Sequence, residues 1–134
     1  MSVLVLVVDD ERDVEDLFRQ QFRRELRAGL FVMDFAYSAP EALARISRPS
    51  DIQLILLLSD INMPGMTGLE LLPKVRELRP DVPVVMITAY GDADTWARAI
   101  KAGADGFFTK PIDFTLLRNA IIERLQAFQS TTSE

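Results

Sequence analysis

Apolar residues along the chain switch repeatedly between two spacings, and the alternation predicts its elements. Short continuous apolar runs mark buried strands at Val3–Val8, Phe31–Phe35, Leu54–Leu58, Val84–Thr88 and Gly106–Lys110. The second, with Asp34 among its apolar residues, alternates most and reads as an edge strand. Between the runs the spacing is helical. Val14, Leu17, Phe18, Phe22 and Leu26 place one stripe on a first helix, with Arg and Glu outside. Ser38, Ala39, Pro40 and Glu41 read as a capping box that opens a second helix ending near Ile46, before Pro49. Leu69, Leu72, Val75 and Leu78 give a third, with Thr67 and Glu70 able to cap it in the same way. Trp96, Ala97 and Ile100 give a fourth ending at Gly103, and Leu116, Leu117, Ala120, Ile121 and Leu125 a fifth. Pro73 would remove an intrahelical hydrogen bond, so the third helix is expected either to start later or to bend there.

Five repetitions of strand then helix predict an α/β fold, doubly wound, because parallel strands need right-handed crossover helices that cover both sheet faces. A chain of 134 residues that is 49% apolar and 26% charged buries enough surface for one domain. That domain is expected over residues 1–128, with 129–134 as a flexible tail. The tail has no closing feature, which reads as the start of a linker to an absent output domain more than as the end of a stand-alone protein.

Composition narrows the chemistry. The chain has no His and no Cys, so imidazole bases, thiolate nucleophiles, disulfides and soft metal sites are excluded. Fifteen Lys and Arg against 20 Asp and Glu give a net charge of −5, which provides no electrostatic footprint for nucleic acid. The apolar runs are too short to span a bilayer, and the first ends in carboxylates instead of a cleavage site, so a cytoplasmic location is expected.

In doubly wound sheets ligands bind at the carboxyl ends of the strands. Here those ends carry Asp9-Asp10-Glu11, Ser59-Asp60, Thr88-Ala89 and Lys110-Pro111. Any one of these could be a helix cap or a solvated loop charge; caps do not call for a lysine at one strand end and carboxylates at two others. Clustered carboxylates repel unless a cation joins them, and with only oxygen ligands available Mg²⁺ fits. A carboxylate beside the metal can attack phosphorus while the metal and a lysine neutralise the transferred phosphoryl oxygens. Asp60 is the best nucleophile candidate, because it ends the most central run and precedes the Asn62-Met63-Pro64-Gly65 loop.

The segments Val7-Val8-Asp9-Asp10-Glu11, Asp60-Ile61-Asn62-Met63-Pro64-Gly65-Met66-Thr67-Gly68, Ile87-Thr88-Ala89 and Phe107-Phe108-Thr109-Lys110-Pro111 occur in this order. Together they resemble the CheY-like receiver domain of two-component response regulators, over the chain from Val3 to about Phe128. The resemblance implies a five-stranded sheet in the order 2-1-3-4-5 with five helices. It implies that Asp60 accepts a phosphoryl group from a histidine kinase or phosphotransfer protein. Asp10, Asp60 and the backbone carbonyl of Asn62 would bind Mg²⁺, with Asp9 acting through water. Lys110 would pair with the acyl phosphate, Thr88 would move to hydrogen-bond it, and Phe107 would turn inward behind Thr88. Ala89 fits the small residue that leaves the pocket open, and the Lys110–Pro111 bond is typically cis. The surface of the fourth helix, fifth strand and fifth helix would carry the signal to an output domain or a homodimer. No enzymatic activity is implied beyond self-catalysed phosphotransfer and autodephosphorylation.

Some positions qualify the resemblance. Gly106 lies where some dimerising regulators carry an acid, which counts against that mode of dimer. Asn62 and Tyr90 flank the acceptor at positions that tune acyl-phosphate hydrolysis in the family. Phe107 and Trp96 also read as core aromatics, Trp96 alternatively as partner-facing, and Arg98 and Lys101 as solvated charges. Two other functions remain open at this point: a receiver-shaped interaction module that is not phosphorylated, and a haloacid-dehalogenase-like phosphohydrolase. Against the latter, the first strand ends Asp9-Asp10-Glu11-Arg12, without an Asp two residues past a nucleophile there, and there is no room for a cap domain.

Overall fold

The computed structural model describes residues 3–48, 52–89 and 91–132, with side chains as far as Gln129. Pro49 and Tyr90 lie outside the described residues. The chain runs β1 (Val3–Val8), α1 (Asp13–Gln21), α2 (Arg23–Arg27), β2 (Val32–Ala36), α3 (Ala39–Ser47), β3 (Gln53–Asp60), α4 (Gly68–Leu78), β4 (Val84–Thr88), α5 (Ala93–Lys101), β5 (Gly106–Thr109) and α6 (Phe114–Thr132). All strand pairs are parallel, in the order β2-β1-β3-β4-β5, so β2 is an edge strand as its polar interruption suggests.

Each sheet face carries its own core. Leu6 and Val8 of β1, Leu54 and Leu57 of β3, and Val84 and Met86 of β4 pack under Ala42 and Ile46 of α3, Leu71, Leu72 and Val75 of α4, and Ala99 of α5. Val3, Val5, Val7, Leu56, Leu58, Val85 and Ile87 face the other way, against Phe18, Phe22 and the α6 residues Leu117, Ile121 and Leu125. Strict alternation would put Leu54 and Leu57 on opposite faces. A register shift between Leu4 and Val5, where β1 partners jump from Leu54 to Leu56, absorbs Ile55 and restores the alternation.

Six helices replace the five expected because the first is interrupted at Phe22, whose backbone (φ −106, ψ 19) leaves the helical region. The hydrogen bonds Phe22 N–H to Phe18 C=O and Leu26 N–H to Phe22 C=O survive, so the two pieces continue one another. The distortion sits at a fully buried ring locked edge-on against Phe31 and Phe114. α4 does not start late: the Thr67–Glu70 capping box is complete and the helix carries Pro73 inside it. The Ser38 box is only half formed. The Ser38 hydroxyl accepts from Glu41 N–H, but the Glu41 carboxylate reaches one residue further, to Tyr37 N–H.

α5 departs from its expected stripe. Ala99 is its buried residue, while Trp96 and Ile100 are 44% and 46% exposed. It ends where predicted, at Gly103, whose φ of +103 allows the Ala104 N–H to close back on Ala99 C=O. α6 continues through Thr132, so residues 129–132, expected as tail, are helical; 133 and 134 lie outside the described residues. No helix among the described residues is long and apolar enough to cross a membrane.

Candidate functional site

Backbone hydrogen bonds just past the strand ends fix the polar residues at the carboxyl edge. Asp9 N–H donates to Ala36 C=O, Ile61 N–H to Ile87 C=O, and Lys110 N–H to Thr88 C=O. Each extends a parallel ladder by one residue, so Asp9, Asp60 and Lys110 are positioned by the sheet itself. The loop after Asp60 is clamped in turn, with Gly68 N–H on Ile61 C=O at 2.8 Å. Gly68 is required there for space: a Cβ would lie 2.2 Å from the Asp60 carbonyl oxygen and 2.9 Å from Ile61 Cα.

Asp9, Asp10 and Asp60 each offer a carboxylate oxygen within 4.8 Å of the others. Asp60 and Asp9 are buried, at 4% and 7% exposed, while Asp10 is more open. Lys110 Nζ stands between the two buried acids, 3.4 Å from Asp9 Oδ2 and 3.6 Å from Asp60 Oδ2. The Lys110–Pro111 bond is cis. Thr88 is fully buried beside them, and its hydroxyl accepts from Asn62 Nδ2 at 3.3 Å. Ala89, next along, is exposed and brings only a methyl group.

Charge is tightly concentrated here. Burial and then the neighbouring Asp9 push the Asp60 carboxyl up to about 6, against the opposing pull of Lys110 and the Asn62 N–H. Burial likewise raises Asp9, although Glu11 N–H and Lys110 favour its charged form. Burial works to neutralise Lys110, but the two carboxylates outweigh it and hold its affinity for a proton above the ordinary value. Three hard oxygen donors with excess negative charge form a set suited to a divalent cation.

A family model described as the response regulator receiver domain matches residues 5–122. The chain belongs to that family. Among curated relatives, the response regulator protein PilR of Pseudomonas aeruginosa is 38% identical over 124 residues, 90% of this chain and 26% of PilR. The C4-dicarboxylate transport transcriptional regulatory protein DctD of Rhizobium meliloti is 44% identical over 107 residues, 80% of this chain and 22% of DctD. This receiver therefore spans about a quarter of the length of those relatives. A CheY-like response regulator receiver domain protein from Methanospirillum hungatei superposes with a TM-score of 0.82 at 30% identity, covering 98% of this chain and 99% of that one.

Not every expected residue of the receiver lies in the acidic cluster. Phe107 is half-buried on β5, packed in part against the core beneath α3, α4 and α5, with its ring edge-on to Trp96 at 4.9 Å. Arg98 and Lys101 are exposed. Sequence reasoning assigned the Asn62 side chain no contact, whereas it bonds Thr88; no spacing rule foretells a contact between a loop and a strand end 26 residues apart. It also missed the rim of the site, where Arg12 stacks over the Tyr37 ring at 4.2 Å and the Tyr37 hydroxyl bonds Glu15.

Proposed function

We propose that Asp60 accepts a phosphoryl group from a phosphohistidine on a histidine kinase or phosphotransfer protein. Asp10, Asp60 and the Asn62 carbonyl would hold Mg²⁺, with Asp9 acting through water. The observation that carries the reading is the grouping of a buried, sheet-anchored Asp60 with two further carboxylates and the Lys110 ammonium. One Asp60 oxygen forms a bond to phosphorus as the phosphorus–nitrogen bond to the imidazole breaks. The imidazole nitrogen keeps that electron pair and takes a proton from solvent.

The chain's own groups prepare this step. Lys110, between Asp9 and Asp60, keeps an ammonium beside the oxygens that acquire charge. Ala89 leaves the approach open. When bound, Mg²⁺ supplies further neutralisation of carboxylate and phosphoryl charge. The product carries about −1.5 to −2 charge and three acceptor oxygens, which draw the Thr88 hydroxyl toward it. Movement of Thr88 frees space on the face where Phe107 packs, so Phe107 turns inward and the surface of α5, β5 and α6 changes with it. Incubation with acetyl phosphate and Mg²⁺ tests the reading. A mass increase of one phosphoryl group, lost in Asp60→Asn, supports it; an unmodified chain, or steady phosphate turnover without a lasting adduct, contradicts it.

A further inference from the structure

Asn62 joins the two residues on which the proposed switch depends. Its backbone N–H bonds the Asp60 carboxylate, and its side-chain Nδ2 reaches across to Thr88 Oγ1 at 3.3 Å. The two ends differ in setting. Thr88 is 0% exposed at the end of β4, whereas Asn62 is exposed on the loop between β3 and α4. A fully buried hydroxyl is thus held by an amide rooted on the acceptor's own loop.

We infer that the Asn62 side chain is a latch: it positions Thr88 in the resting arrangement, and the switch proceeds only as that hydrogen bond is given up. The inference rests on the proposed roles of Asp60 and Thr88. At 3.3 Å the bond is already long, so displacement of the hydroxyl away from the amide by a few tenths of an ångström ends it. The exposed amide then turns to water at little cost, while the hydroxyl finds its new partner on the phosphoryl oxygens. The latch therefore weights the resting state without obstructing the committed one. Hydrogen bonds of this kind shift a two-state population by roughly threefold to tenfold. Asn62 is in this sense a positioning residue, acting through Thr88 and separate from whatever its backbone carbonyl does for a metal.

The test compares wild type with Asn62→Ala, using beryllofluoride as the phosphoryl mimic at saturating Mg²⁺ and reading its binding by fluorine NMR. At saturating Mg²⁺ the variant binds beryllofluoride roughly threefold to tenfold more tightly. The emission of Trp96, the only tryptophan and edge-on to Phe107, shifts in the unliganded variant toward that of the beryllofluoride complex. In a Thr88→Val background, Asn62→Ala has no further effect on beryllofluoride affinity. An unchanged or weaker affinity in the single variant, or an effect that persists without the Thr88 hydroxyl, overturns the latch. Wild-type protein that does not bind beryllofluoride overturns the underlying reading of Asp60 and Thr88 instead, and the latch with it.

Discussion

Asp60→Asn is expected to stabilise the metal-free protein at neutral pH, and the size of the effect follows from the burial of the acid. The folded-state pKa of Asp60 lies near 6, against 3.8 for an unperturbed aspartate. Because folding raises this pKa, protonated Asp60 favours the folded state. That contribution is complete only well below the unfolded value of 3.8 and is lost as the pH rises through 6. At about 1.4 kcal/mol per tenfold in proton affinity, the loss between pH 4 and pH 7 is about 2.5 kcal/mol. Urea unfolding of wild type and Asp60→Asn, each with a chelator present, measures it. The stability advantage of the variant grows by about 2.5 kcal/mol between pH 4 and pH 7, on the order of 10 °C in melting temperature for a domain of this size. Saturating Mg²⁺ at pH 7 then stabilises wild type more than the variant, because the ion relieves the same repulsion. Parallel stability curves from pH 4 to pH 7 would refute the claim that burial and Asp9 oppose ionisation of Asp60.

Other consequences concern the frame around the site. Gly68→Ala forces a methyl group against the Asp60 carbonyl and should cost about 1 to 3 kcal/mol in urea unfolding, with weakened Mg²⁺ binding as Asp60 is displaced. Arg76→Ala removes guanidinium donors to Gly103 C=O and Val82 C=O and the pair with Asp105, which itself accepts from Val84 N–H. About 1 to 3 kcal/mol of stability should be lost, with Mg²⁺ affinity kept, by calorimetry. Asp10→Asn should weaken Mg²⁺ binding sharply while Glu123→Gln, on exposed α6 surface, leaves it unchanged; equal losses would mean that overall charge and not the cluster binds the ion.

The strands and most helix ends were legible because they depend on local chemistry. Apolar runs had to be buried, Thr67 and Glu70 had to cap, and Gly103 had to reverse the chain. The grouping of Asp9, Asp10, Asp60 and Lys110 was legible for a related reason: parallel strands bring the residues at their carboxyl ends to one edge of the sheet. What stayed hidden depends on distant packing. The interruption at Phe22 reflects rings contributed by Phe31 and Phe114, and the exposure of Trp96 follows from α5 turning only Ala99 to the sheet. The bond from Asn62 to Thr88 and the midpoint position of Lys110 between two acids arise from how four strand ends come together, which no single segment encodes.

The central claim is that Asp60, and no other carboxylate in the cluster, carries the phosphoryl group. Borohydride reduction after treatment with acetyl phosphate and Mg²⁺ converts an aspartyl phosphate to homoserine, which peptide mass spectrometry locates in the chain. Homoserine is expected at position 60 alone, with none formed when Mg²⁺ is withheld by chelator. Homoserine at position 9 or 10 in the wild-type chain, or an unchanged Asp60 under conditions that label the protein, would contradict it.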